Sequence, residues 1–145
     1  MQFDKETQVR ILRVAADRID GRPIPEMDAA IAQVMDYHPE FEEIWGQGEL
    51  ATYPQEIDGN IVNPFVHTVL HVIVDKQIKD QDPEFVAITM DRLMKDGVAD
   101  RHEVLHGIIA AYAEVYFSNF RQGKPFDYLD YQSRLKNLYI QMEEG

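Results

Sequence analysis

The 145-residue chain has no cysteine, which removes disulfides and thiolate metal ligands together and leaves imidazole and carboxylate as the strong ligands. Positive charge is scarce as well: 14 Lys and Arg stand against 26 Asp and Glu, for a net charge of −12. A surface of that sign repels phosphate backbones and anionic headgroups, so neither nucleic acid nor a membrane surface is an expected partner. No apolar run approaches the roughly 20 residues that span a bilayer. The opening Met-Gln-Phe-Asp-Lys-Glu has neither the basic segment nor the apolar core of a signal peptide. The expectation is a soluble cytoplasmic protein. Strand patterns are sparse, and no repeat, low-complexity tract or interdomain linker is visible.

What the chain does have is apolar content, 45 % hydrophobic residues, enough for one helical domain over residues 1–145 without covalent staples. Helix starts and stops recur. Asp4 caps a first helix with Val9, Leu12, Ala16 and Ile19 as its apolar set, closed near Gly21. A second runs from about Pro25 through Met27, Ile31, Val34 and Met35 to His38, where Pro39 ends it. Phe41, Ile44 and Trp45 suggest a short third. The stretch from Gly46 to Val62 reads as one long irregular loop, of the kind that forms lids or binding loops. Asn63-Pro64 and Asp82-Pro83 are then two strong helix starts, Asp100 a third, and a last helix runs from near Pro125 or Asp127 to about Met142. The predicted class is all-α, a bundle of five to six helices with up-down connectivity.

Four of the five histidines fall into two pairs of equal spacing, His67/His71 and His102/His106, each near the start of a predicted helix. An i, i+4 spacing puts both imidazoles on one face a turn apart, as a helix presents two nitrogens to one ion. Five histidines scattered at random over this length would give two such pairs on the order of 1 % of the time. Short connections make consecutive helices antiparallel, which brings both pairs to the same end of a bundle, beside the Gly46 to Val62 loop. The reading is a site for a divalent transition metal (zinc, iron, manganese or nickel) held by His67, His71, His102 and His106.

Carboxylates are the next candidates. Asp75 continues the line of His67 and His71 by one turn, and Glu114 continues that of His102 and His106 by two; both also fit a solvated or ion-paired acid. His38, before Pro39, reads as a structural residue at a helix end. His102-Glu103-Val104-Leu105-His106 matches the H-E-x-x-H motif of zinc peptidases, but Ile109 and Tyr112 stand where a metzincin places a glycine and a third histidine. Glu103 also suits a capping box with Asp100. The main alternative to metal is a metal-free helical interaction module whose histidines form a structural or pH-responsive cluster. Tyr128, Tyr131 and Tyr139 suit a homodimer face as well as a core. No substrate or catalytic group is readable.

One set of motifs extends across much of the chain. It runs from His38-Pro39-Glu40-Phe41 through Asn63-Pro64-Phe65-Val66-His67, His71 and Gln77, then the His102-Glu103-x-x-His106 helix with Glu114, to Arg121-Gln122-Gly123-Lys124-Pro125-Phe126-Asp127 and Tyr131. This ordered set, covering roughly residues 36 to 131, resembles a bacterial family of small helical proteins catalogued as a domain of unknown function. The resemblance implies that both histidine pairs are shared features of a helical protein, and that acidic residues follow the second pair in family members. Here Ala110 stands one turn after His106.

Overall fold

The computed structural model describes residues 1–97 and 99–138 and is mostly helical. Its seven α-helices are α1 (Lys5–Asp20), α2 (Ala29–Asp36), α3 (Glu42–Trp45), α4 (Pro64–Asp80), α5 (Glu84–Asp96), α6 (Arg101–Arg121) and α7 (Tyr128–Lys136), with one antiparallel pair of strands, β1 (Gln55–Ile57) and β2 (Asn60–Val62). The chain divides into two compact units, residues 1–72 and 73–145. Helix α4 belongs to both. Among the described residues no helix is long and apolar enough to cross a membrane.

In unit 1, helix α1 starts where Asp4 accepts a hydrogen bond from the Thr7 amide at 2.9 Å and stops at left-handed Gly21. Its buried face is Ile11, Val14 and Ala15, not the expected Val9, Leu12, Ala16 and Ile19; Val9 and Ile19 are 55 % and 50 % exposed. An ion pair turns the helix this way. Arg10 Nε donates to the buried Asp28 carboxylate at 2.7 Å and Arg10 Nη2 to the Met27 carbonyl at 2.8 Å, while Arg13 approaches Asp28 at 3.5 Å. These bonds fasten α1 to the turn that opens α2, whose Ile31, Val34 and Met35 are buried as expected.

The Gly46 to Val62 stretch is ordered rather than irregular. A 3₁₀ turn over Gly48–Thr52 packs on α3, and a hairpin pairs Gln55 with Val62 and Ile57 with Asn60. Asp58 and Gly59 form its two-residue turn with φ of 52° and 86°, the positive pair that an Asp-Gly type I′ turn requires. Asn63 then does two jobs at once: its Oδ1 accepts from the Val66 amide at 3.1 Å and caps α4, and its Nδ2 donates to the Thr52 carbonyl at 3.0 Å.

In unit 2, α5, α6 and α7 pack on one another. As expected, Asp100 caps α6 by accepting from the Glu103 amide and Asp127 caps α7 by accepting from the Asp130 amide; left-handed Gly97 closes α5. Helix α5 starts at Glu84, after a cis Asp82–Pro83 bond. The core centres on Tyr131, which is fully buried; its hydroxyl donates to Gln77 Oε1 at 2.8 Å, and the rings of Phe85, Tyr112 and Phe126 stand 5.4 to 5.6 Å from its own. Arg92 donates to the Leu135 and Leu138 carbonyls and closes the end of α7. Tyr139 and the expected helix end at Met142 lie outside the described residues.

Two consequences are measurable. Asp28→Ala strands the Arg10 guanidinium and should lower unfolding free energy by about 1.5–3 kcal/mol, the range for hydrogen bonds to charged groups, read as a shifted urea midpoint at unchanged slope. Burial, aided by the neighbouring Tyr128 and Tyr116 phenols, pushes the Tyr112 phenol up to about 12, and burial pushes Tyr131 further still. Between about pH 10, where an exposed tyrosine ionises, and that value, the unfolded chain sheds protons that the folded chain keeps. The stability these phenols contribute is therefore complete below about pH 10 and lost as pH rises through the window. A denaturation series across it, with tyrosinate absorbance in parallel, should show the late tyrosines titrating only as the chain unfolds.

Candidate functional site

The site is built from the end of α2 and the start of α4. Proline at 39 has no N–H to extend α2, so the helix tightens: the His38 amide bonds back to Met35 rather than to Val34. The Val34 carbonyl thereby exchanges the His38 amide for that of Tyr37, at 3.2 Å, and stays open to a second donor. The His38 ring fills the place, with Nδ1 donating to Val34 at 2.8 Å. A neutral imidazole carries one proton, so a donor at Nδ1 leaves Nε2 as a bare lone pair.

That lone pair faces α4. His38 Nε2 lies 3.0 Å from His67 Nε2, and ring centroids stand 4.6 Å apart for His38 and His67, 4.7 Å for His38 and His71, and 4.9 Å for His67 and His71. Each of these three residues offers a nitrogen within 4.8 Å of the other two. His38 and His71 are buried and His67 is half-buried. Phe41 stacks on His38 at 5.3 Å and meets His67 edge-on at 5.5 Å, which keeps one side of the cluster dry and holds the His38 ring plane. All of these groups belong to unit 1.

In unit 2 the second expected pair is also formed. His102 and His106 stand 4.1 Å apart, ring edge to ring face, on the first two turns of α6. Asp75, one turn past His71 on α4, is held above the ordinary carboxylate range by burial, with the nearby charges of Arg101, at 3.9 Å, and of His102 pulling it back down. Glu114 is ion-paired to Arg134, which also holds Asp130. Glu103 has its amide on the Asp100 cap.

The histidine pairs are thus each brought together within their own units, and the first gains a member that spacing did not reveal. His38 has no histidine at helical distance in sequence. Its partners lie 29 and 33 positions on, past the hairpin. By sequence it is a structural residue at a helix end, a role that its bond to Val34 fills, and the cluster adds a second place for its other ring nitrogen. Three convergent imidazoles, one with its tautomer set by a backbone carbonyl, are a donor set suited to zinc, copper, iron or nickel.

Gln77 and Tyr131, far apart in sequence, hydrogen-bond each other in the unit 2 core, and Asn63, Asp100 and Asp127 are helix caps. The motifs therefore mix scaffold with site. No curated protein and no solved structure matches the chain. A family model does match, over residues 5–137. On that match the chain belongs to the family described as Domain of unknown function (DUF1841).

Proposed function

We propose that His38, His67 and His71 bind one divalent transition-metal ion. The observation that carries this reading is the convergence of the three imidazoles, with Nε2 of His38 3.0 Å from Nε2 of His67 while Nδ1 of His38 is held on the Val34 carbonyl. Nitrogens bound to one tetrahedral zinc at about 2.0–2.1 Å stand roughly 3.3 Å apart, so small side-chain rotations convert this cluster into a first shell.

Imidazole donors favour zinc, iron or nickel over manganese, which prefers carboxylate and water.

A second reading has one observation in its favour, since 3.0 Å is also the length of an N–H···N hydrogen bond: the cluster serves a metal-free interaction module as a structural or pH-responsive element. The peptidase reading of H-E-x-x-H gains no support, because unit 2 has no strand among the described residues on which to lay an extended substrate.

The two readings separate by titration. Untagged, chelator-treated protein should take up one equivalent of Co²⁺ or Zn²⁺, and Co²⁺ should give the intense visible absorption of a tetrahedral nitrogen site. With free ion at 100 times Kd, stability rises by about 2.7 kcal/mol, or roughly 6–10 °C in Tm for a chain of this size. His67→Gln and His71→Gln should each abolish that gain. No stoichiometric uptake of either ion would leave the hydrogen-bonded cluster as the answer.

A further inference from the structure

The metal reading leaves open whether the ion is a resident cofactor for an anionic substrate or is itself what the site exchanges. The distribution of charge in unit 1 distinguishes these. From residue 23 to residue 74 the chain contains nine acidic residues and no lysine or arginine. The unit's cations all lie between Lys5 and Arg22, and its arginines are occupied: Arg10 and Arg13 by Asp28, Arg18 by Asp36 and Glu42, Arg22 by Asp17 and Asp20.

Six of the nine remain over; Glu26 lies in the turn that carries Asp28, and the other five concern the site. Glu40, Glu43, Glu49, Glu56 and Asp58 are exposed, and among the described residues none is paired with a basic side chain. They sit on the segments that deliver the ligands. Glu40 lies in the 3₁₀ turn that follows His38, Glu43 is in α3 packed on that turn, and Glu49 is in the next turn, packed on α3. Glu56 and Asp58 are on the hairpin that leads into α4 and His67.

None of these carboxylates belongs to the histidine trio, so their effect is through the field. Uncompensated charge of one sign around a cleft raises the local concentration of the opposite ion and its association rate by about 10- to 1,000-fold at low salt, over a range of about 8–10 Å at physiological ionic strength. The same field repels phosphates and carboxylates.

Resting on the histidine site proposed above, we infer that the exchangeable ligand of this site is the free hydrated divalent cation, drawn in by the exposed acids on the segments of unit 1 that deliver the histidines, and that no anionic substrate is handled there. The ion is cargo.

The test is a rate measurement on the full chain. Stopped-flow uptake of Co²⁺, followed by its visible absorption and by quenching of the chain's one tryptophan, Trp45, is compared between wild type and the variant E40Q/E43Q/E49Q/E56Q/D58N. Wild-type association should slow about tenfold or more between roughly 10 and 500 mM KCl. The variant should be several-fold slower at low salt and nearly flat with salt, while release into chelator stays within about twofold in both, as expected when only steering is lost. Equal association rates and equal salt slopes would overturn the inference. So would a shift of the Co²⁺ spectrum on adding phosphate or acetate, because an anion would then reach the bound ion. If wild type takes up no Co²⁺ at equilibrium, the histidine site itself fails, and that is seen before any rate is measured.

Discussion

The hydrogen bond from His38 Nδ1 to the Val34 carbonyl is the constraint on which the chemistry of unit 1 rests. It begins as a problem of helix termination. Pro39 ends α2, the last turn tightens, and the Val34 carbonyl, which keeps the Tyr37 amide but loses that of His38, has room for a second donor. The His38 ring supplies it and in doing so is fixed in position, plane and tautomer. Without that bond a neutral His38 would be free to protonate at Nε2 and turn a donor toward His67. With it, the two facing nitrogens can share one proton or one ion, and the site is prepared for either.

The second constraint is Asn63. A helix that carries two ligands must start at a defined place, since an error of one residue rotates the pair by about 100° around the axis. Asn63 fixes the start of α4 from both sides, capping the Val66 amide and gripping the Thr52 carbonyl. The hairpin between them thereby has a role that its small size conceals: it carries the chain from the 3₁₀ turn back to the point where Asn63 can reach both groups. Side chains that bind nothing thus place those that could.

Much of this was legible in sequence, and the parts that were not share a cause. Helix ends at Asp4, Asn63, Asp100, Asp127 and Gly97 could be read because capping is local chemistry between residues a few positions apart. The i, i+4 pairs could be read for the same reason. The buried face of α1 could not: Val9 and Ile11 are equally apolar, and the choice between their faces was made by Arg10 reaching Asp28, 18 positions away. The hairpin escaped because each strand is three residues long, too short for alternation to show, although Asp58-Gly59 carried the turn signal. His38 escaped because its partners come from another helix. Phe120 at the end of α6 is 71 % exposed despite its apolar ring, since the last buried residue of that helix is Val115.

Chemistry and charge are divided between different residues, and this division bears on how such a site would work. A carboxylate in the first shell would attract the ion and hold it with the same group, so that faster capture would come with slower release. Here the trio is entirely imidazole, and the unpaired acids stand in solvent on the turns and hairpin around it. Neutral nitrogen donors select the ion by softness and geometry, whereas distant exposed charges act on encounter more than on affinity. A site arranged in this way can be filled quickly without being made harder to empty, which suits an ion that passes through more than one that stays.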